Sequence, residues 1–110
     1  MDGLLTFTDD LTAANWGKVA EFASKHRLPT VCEFRFLVQF GCLLSYGPST
    51  DEFTARVAQQ VDKIIKGAKA ADLPVEQVMR FEMLLNLKTA KALGINIPQS
   101  VRMRADEVIE

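Results

Sequence analysis

Residues 28–48, LPTVCEFRFLVQFGCLLSYGP, decide the fold. Pro29 biases Leu28 towards extended backbone and Thr30-Val31-Cys32 is β-compatible, so the stretch opens as a short strand that ends at Glu33. Phe34 to Phe40, with Arg35 and Gln39 interspersed, is long enough for about two helical turns, and Gly41 suits a helix C-terminus. Cys42-Leu43-Leu44-Ser45-Tyr46 then reads as another strand, closed by the turn signal Gly47-Pro48. A strand, a helix and a strand in such close succession predict parallel pairing through a right-handed crossover.

The flanks extend the pattern. Leu4, Leu5, Thr6 and Phe7 form a nearly continuous apolar run closed by Thr8-Asp9-Asp10, as expected of a parallel strand buried on both faces. Thr12 is the expected N-cap of a helix over 13–27 that puts Trp16, Val19, Ala20 and Ala23 on one face. Beyond the central stretch, Ser49 and Glu52 match a capping box, and Phe53, Val57, Val61, Ile64 and Ile65 recur at helical spacing until Gly67. Met79, Phe81, Met83 and Leu85 alternate with Arg80, Glu82 and Asn86 in a strand pattern. Leu87 to Leu93 reads as a short helix stopped by Gly94, and Pro98 with Ser100 introduces a last weak helix carrying Val101, Ala105 and Val108. The expectation is one α/β domain over 1–110, a three-layer parallel sheet with flanking helices.

Composition narrows the function. The 110 residues carry 13 Lys+Arg against 14 Asp+Glu, a formal net charge of -1, so there is no electrostatic footprint for nucleic acid. The 2 Cys cannot make a disulfide framework, and Cys32 and Cys42, in buried strands, are expected to pack as small hydrophobes. The single His, His26, sits near a helix C-terminus where a cation is favoured, and cannot supply a typical zinc site. No apolar run approaches the ~20 residues of a membrane span. A mean hydropathy of +0.06 is high for so small a domain and implies apolar surface covered by something besides this chain.

In a parallel α/β sheet, ligands bind beyond the carboxyl ends of the strands. Those positions hold Asp9 and Asp10, then Glu33, then Tyr46. The acid pair suits a ligand ammonium or a metal, or one of the two caps the following helix. Glu33 can serve as a ligand carboxylate, and no second titrating group accompanies it for acid-base work. Tyr46 offers a ring for stacking and a hydroxyl, or simply packs at the rim. No phosphate loop, dinucleotide fingerprint or nucleophile elbow is present, so no enzyme constellation emerges. A small receiver-like or protein-interaction module, with Mg²⁺ on Asp9-Asp10, is the alternative to passive solute binding. Against it, the strand at 42–46 ends in Ser-Tyr-Gly rather than in a phosphoacceptor Asp.

Two runs, EFRFLVQFGCLLSYGPS at 33–49 and VDKIIKGAKAADLPVEQVMRFEMLLNLKTAKALGINIPQSVRMRADEVIE at 61–110, resemble the C-terminal part of ABC-transporter substrate-binding proteins of the tryptophan/tyrosine type. That resemblance implies a periplasmic-binding-protein type I fold, here its C-terminal lobe, and a solute-binding function without catalysis, cofactor or metal. It matches Asp9 and Asp10 to the acid/amide pair after a cleft strand, Glu33 to the cleft residue after the next strand, and Tyr46 to the cleft tyrosine. An amino-acid-like solute and an ABC permease are the implied partners. The chain is then a fragment, and its helix over 51–66 belongs with an N-terminal lobe. Without that lobe, Phe53, Val57, Val61, Ile64 and Ile65 are expected to drive a homodimer. The resemblance implies a periplasmic location, whereas MDGLLTFTDD lacks a basic-then-apolar signal and the chain made as written would stay cytoplasmic.

Overall fold

A computed structural model describes residues 1–110. The chain divides into two compact units, residues 1–47 with 82–110, and residues 48–81. Five strands form one sheet in the order β1-β2-β3-β4-β5: Leu4–Leu5, Thr30–Cys32, Leu44–Pro48, Phe81–Asn86 and Glu107–Ile109. Five α-helices, α1 (Asp10–Ala14), α2 (Trp16–Lys25), α3 (Thr50–Ile65), α4 (Leu87–Leu93) and α5 (Gln99–Arg102), join 3₁₀ turns at Arg35–Phe40 and Ala70–Asp72.

The first unit holds the core. Strands β1, β2 and β3 are parallel, with Leu4 opposite Thr30, Val31 opposite Leu44 and Cys32 opposite Ser45. Strand β5 runs parallel to β4, Leu85 facing Val108. The β4 pair runs against the first three strands: Asn86 N, at the end of β4, donates to Leu43 O just before β3, while Ser49 N, just after β3, donates to Arg80 O just before β4. Neighbouring residues of β4 feed different clusters, as strand alternation requires. Leu84 joins Trp16, Cys32, Leu37, Val38 and Cys42, and Leu85 joins Ala90 and Ile97. Asn86 locks the end of β4 twice, its Oδ1 accepting Thr89 N at 3.1 Å as the N-cap of α4 and its Nδ2 donating to Val38 O at 2.9 Å.

Several local expectations are corrected. The first helix is capped by Asp9 rather than Thr12: Asp9 Oδ1 accepts Thr12 N at 2.7 Å, and the Thr12 hydroxyl accepts Asp9 N at 2.8 Å. This reciprocal box starts the helix earlier, and Asn15 breaks it into α1 and α2. The 34–40 segment winds as a 3₁₀ helix closed by Gly41 at φ 103°, a conformation that favours glycine. Residues 107–109, expected in a last helix, form β5. Cys32 and Cys42 are a disulfide rather than two separate small hydrophobes, their Cα atoms 6.4 Å apart. The crossover makes this possible, because Leu43 N donates to Thr30 O and so returns Cys42 alongside β2.

The second unit is α3 and the chain that follows it. Ser49 caps α3, its hydroxyl accepting Glu52 N at 3.4 Å, but the expected box is only half made, because Ser49 N donates to Arg80 O and Glu52 Oε2 accepts Arg80 N at 3.2 Å instead. Arg56 links α3 to the chain that follows it by pairing with Glu52 and with Glu76, each at 3.3 Å. Gln60 Nε2 also donates to Pro74 O at 3.3 Å. The apolar stripe of α3 is exposed, from 45% at Val57 to 79% at Ile65.

Candidate functional site

The reversal of direction at β4 gathers more onto one sheet edge than an all-parallel sheet would. The carboxyl ends of β1, β2 and β3 meet the amino ends of β4 and β5 there. Thr8 and Asp9 follow β1, Glu33 follows β2, Tyr46 and Gly47 lie near the end of β3, Glu82 near the start of β4, and Glu107 begins β5.

Each expected site residue has a definite setting. Glu33 Oε2 accepts Thr8 N at 3.3 Å, tying the ends of β1 and β2. Extending the β2-β3 register by one position sets Glu33 opposite Tyr46, which is 59% exposed. Gly47 receives the backbone of Glu33 so closely that a β-carbon there would overlap the Glu33 carbonyl oxygen and stand 3.0 Å from its carbonyl carbon. Asp9 is engaged locally: the Thr12 backbone N–H and hydroxyl hold its carboxyl below the ordinary carboxylate value. Asp10 is exposed in the first turn of α1, where an acid complements the N-terminal end of the helix dipole. The structure therefore places Glu33 and Tyr46 each next after the Cys32–Ser45 pair at the β2-β3 end and gives Asp9 the capping role. No three His, Cys, Asp or Glu side chains gather in a way that could hold a metal ion.

Arg35 is the residue that sequence reasoning passed over. It opens the 3₁₀ turn two residues after Glu33 and reaches across the edge, with Nη1 3.5 Å from Glu82 Oε2 and Nη2 2.8 Å from Glu107 Oε2. The guanidinium thus fastens the end of β2 to the starts of β4 and β5. A lone cation inside the apolar run FRFLVQF was the available signal. One cavity in this unit, of about 210 Å³, lies elsewhere, lined by Trp16, Ala23, Leu28, Thr30, Cys42 and Leu93, towards the amino end of β2, and another, of about 230 Å³, lies between Trp16 and the 3₁₀ turn, lined by Ala13, Phe36, Leu37 and Phe40.

The rim thus carries an exposed aromatic ring at Tyr46, the Glu33 carboxylate held by Thr8 N, and an arginine that braces it. Residues 1–109 match the family described as ABC transporter substrate binding protein. The chain is 23% identical over 95 residues to a tyrosine-binding protein of Clostridioides difficile, which covers 86% of this chain and 28% of that protein. Its fold superposes with a TM-score of 0.91 on the structure of the ABC domain from Streptococcus pneumonia in complex with L-Trp, at 28% identity, covering 99% of this chain and 37% of that one. A conserved domain protein from Vibrio cholerae gives the same TM-score at 23% identity, covering 97% of this chain and 36% of that one. The chain thus spans between 28% and 37% of the length of these relatives. With the family model matched from the first residue to the penultimate one, the chain belongs to the ABC transporter substrate binding protein family.

Proposed function

We propose that this chain supplies one wall of a solute cleft in the substrate-binding component of an ABC importer, with an aromatic amino acid as the solute and no chemistry. The observation that carries the reading is that Glu33 and Tyr46 each directly follow the paired residues Cys32 and Ser45, on the strand-end rim of a chain that matches the family over 1–109. In it, the Glu33 carboxylate accepts the solute ammonium, the Tyr46 ring packs on the aromatic side chain, and Asp10 adds negative potential from the first turn of α1. Asp9 acts by setting the start of that helix. L-Trp bound to the pneumococcal relative, and the tyrosine-binding name of the clostridial one, support this choice of solute. The exposed stripe Phe53, Val57, Val61, Ile64 and Ile65 is an association surface, covered by a further lobe in a longer protein and by a second copy when this chain stands alone. An extracytoplasmic location follows from the family role and agrees with a disulfide, since such bonds persist in oxidising compartments.

One wall leaves a ligand half exposed, so affinity is weak and binding is best read by NMR. Titrating L-Trp and L-Tyr into labelled chain is expected to move the amides of Thr8, Glu33 and Tyr46 together, with Glu33→Gln and Tyr46→Ala each weakening the response. Shifts confined to other regions, or none at millimolar solute, would overturn the assignment.

A further inference from the structure

The crossover that carries Glu33 and Arg35 begins and ends at a cysteine. Cys32 is the last residue of β2, and Cys42 follows the Gly41 that closes the 3₁₀ turn. Between them lie the carboxylate tied to Thr8 and the guanidinium tied to Glu82 and Glu107. The backbone bonds from this segment to β2 sit at its far end, where Leu43 N meets Thr30 O. The Cys32–Cys42 bond joins its two ends directly, across a sequence separation of 10. Both cysteines are 1% exposed and packed with Trp16, Leu37, Val38 and Leu84.

We infer that this disulfide is a buried latch: it is made while the chain is still open, it fixes the Glu33–Arg35 segment on the strand-end rim, and folding then places it beyond the reach of reductants. Exchange requires a thiolate and in-line access to sulfur, and an apolar cluster denies both. In the open chain, one cysteine thiolate attacks a disulfide of an exchange protein or small molecule and expels one of its sulfurs as thiolate. The second cysteine thiolate then attacks the mixed disulfide at this chain's sulfur and expels the partner's other sulfur, so that both partner sulfurs leave as thiols. The chain gives up two thiol protons and two electrons, and the partner's disulfide takes up the electrons. Reduction reverses these steps and needs the same opening, so the latch acts as a permanent brace and not as a switch.

The test does not depend on the solute. Alkylation in denaturant, followed by mass spectrometry, is expected to find no free thiol in chain purified without reductant. Dithiothreitol is expected to reduce the folded chain at least ~100-fold more slowly than the same chain in concentrated guanidinium chloride, because opening the core precedes exchange. The Cys32→Ala/Cys42→Ala variant is expected to melt about 10 °C lower and to lose amide-exchange protection first across 33–41, with β4 and β5 retained. Two free thiols after oxidative refolding, equal reduction rates in the folded and denatured chain, or unchanged protection across 33–41 in the variant would each overturn the latch. The reduction rates are measured on the unaltered chain, so they decide the matter even where the variant fails to accumulate.

Discussion

Replacing Gly47 with alanine adds one methyl group at the point where the ends of β2 and β3 touch. That methyl carbon would overlap the carbonyl oxygen of Glu33 and lie 3.0 Å from its carbonyl carbon and 3.3 Å from its Cγ. Ordinary carbon contacts sit at about 3.5 to 4.0 Å, so the Glu33 backbone must retreat by roughly 1 Å. The neighbour is main chain in a parallel ladder, not the tip of a flexible side chain, so the strands must part. Overpacking of this kind costs about 1 to 3 kcal/mol, here at the upper end. For a domain of this size that is a fall of roughly 10 to 20 °C in melting temperature. The retreat also lengthens the bond from Thr8 N to Glu33 Oε2, now 3.3 Å. The control is the same chemical change at Gly17, inside α2, where an added β-carbon meets nothing within 4 Å. There alanine removes backbone freedom from the unfolded chain and adds ~0.5 to 1 kcal/mol of stability. Thermal melts followed by circular dichroism, with the Thr8 amide tracked by NMR, give opposite signs for the two variants. A Gly47→Ala chain that melts within about 2 °C of the wild type, with its Thr8 amide unmoved, would refute the close approach.

Other expectations concern the edge and the stripe. The Asp9 carboxyl titrates below its ordinary 3.8 because Thr12 donates to its charged form, so its stabilising effect is complete above that value and is lost as pH falls through the lower folded one. An Asp9→Asn variant keeps the cap and should lose this pH dependence, read from amide exchange at Thr12 and Ala13. Arg35→Gln removes two ion pairs, one of them to a Glu82 side chain that is only 11% exposed, and should cost about 1 to 2 kcal/mol in a chemical denaturation series. The loss should be smaller at high salt, and a salt-independent loss would point to packing instead. Light scattering should find the isolated chain dimeric and the Val57→Glu/Ile64→Glu variant monomeric. A wild type that stays monomeric at high concentration refutes self-association through α3.

What the sequence disclosed was what neighbours in sequence decide. The Ser49 cap of α3 was legible because its partner lies three residues away, and Gly41 announced the end of the 3₁₀ turn by itself. The Asp9-Thr12 box is equally local, yet a Thr at the third helical position competes with the same Thr as a cap, and the two differ only in which hydroxyl bonds form. Strand β5 is three residues, Glu107-Val108-Ile109, with no pattern of its own; pairing with Leu84, Leu85 and Asn86 makes it a strand. The direction of β4 depends on where the chain goes between Pro48 and Phe81, which no periodicity encodes. At the rim, Glu33 and Tyr46 were legible as strand-end residues, whereas Arg35 finds Glu107 across 72 positions of sequence. Gly47 stood out only as a turn residue, because its close neighbour is the backbone of Glu33 in another strand.

The bond from Ser49 N to Arg80 O, 2.9 Å, joins the first and last turns of the chain's long excursion between β3 and β4. Two neighbouring antiparallel strands whose ends already touch are, in topological terms, an ordinary hairpin whose loop has grown a helix. Loop-closure entropy rises only with the logarithm of loop length, so such growth carries little thermodynamic penalty. The same geometry makes the growth reversible. A tight turn grafted from Pro48 to Phe81 would leave strand order and register as they are, because every consecutive pair of strands in the chain is already a pair in space.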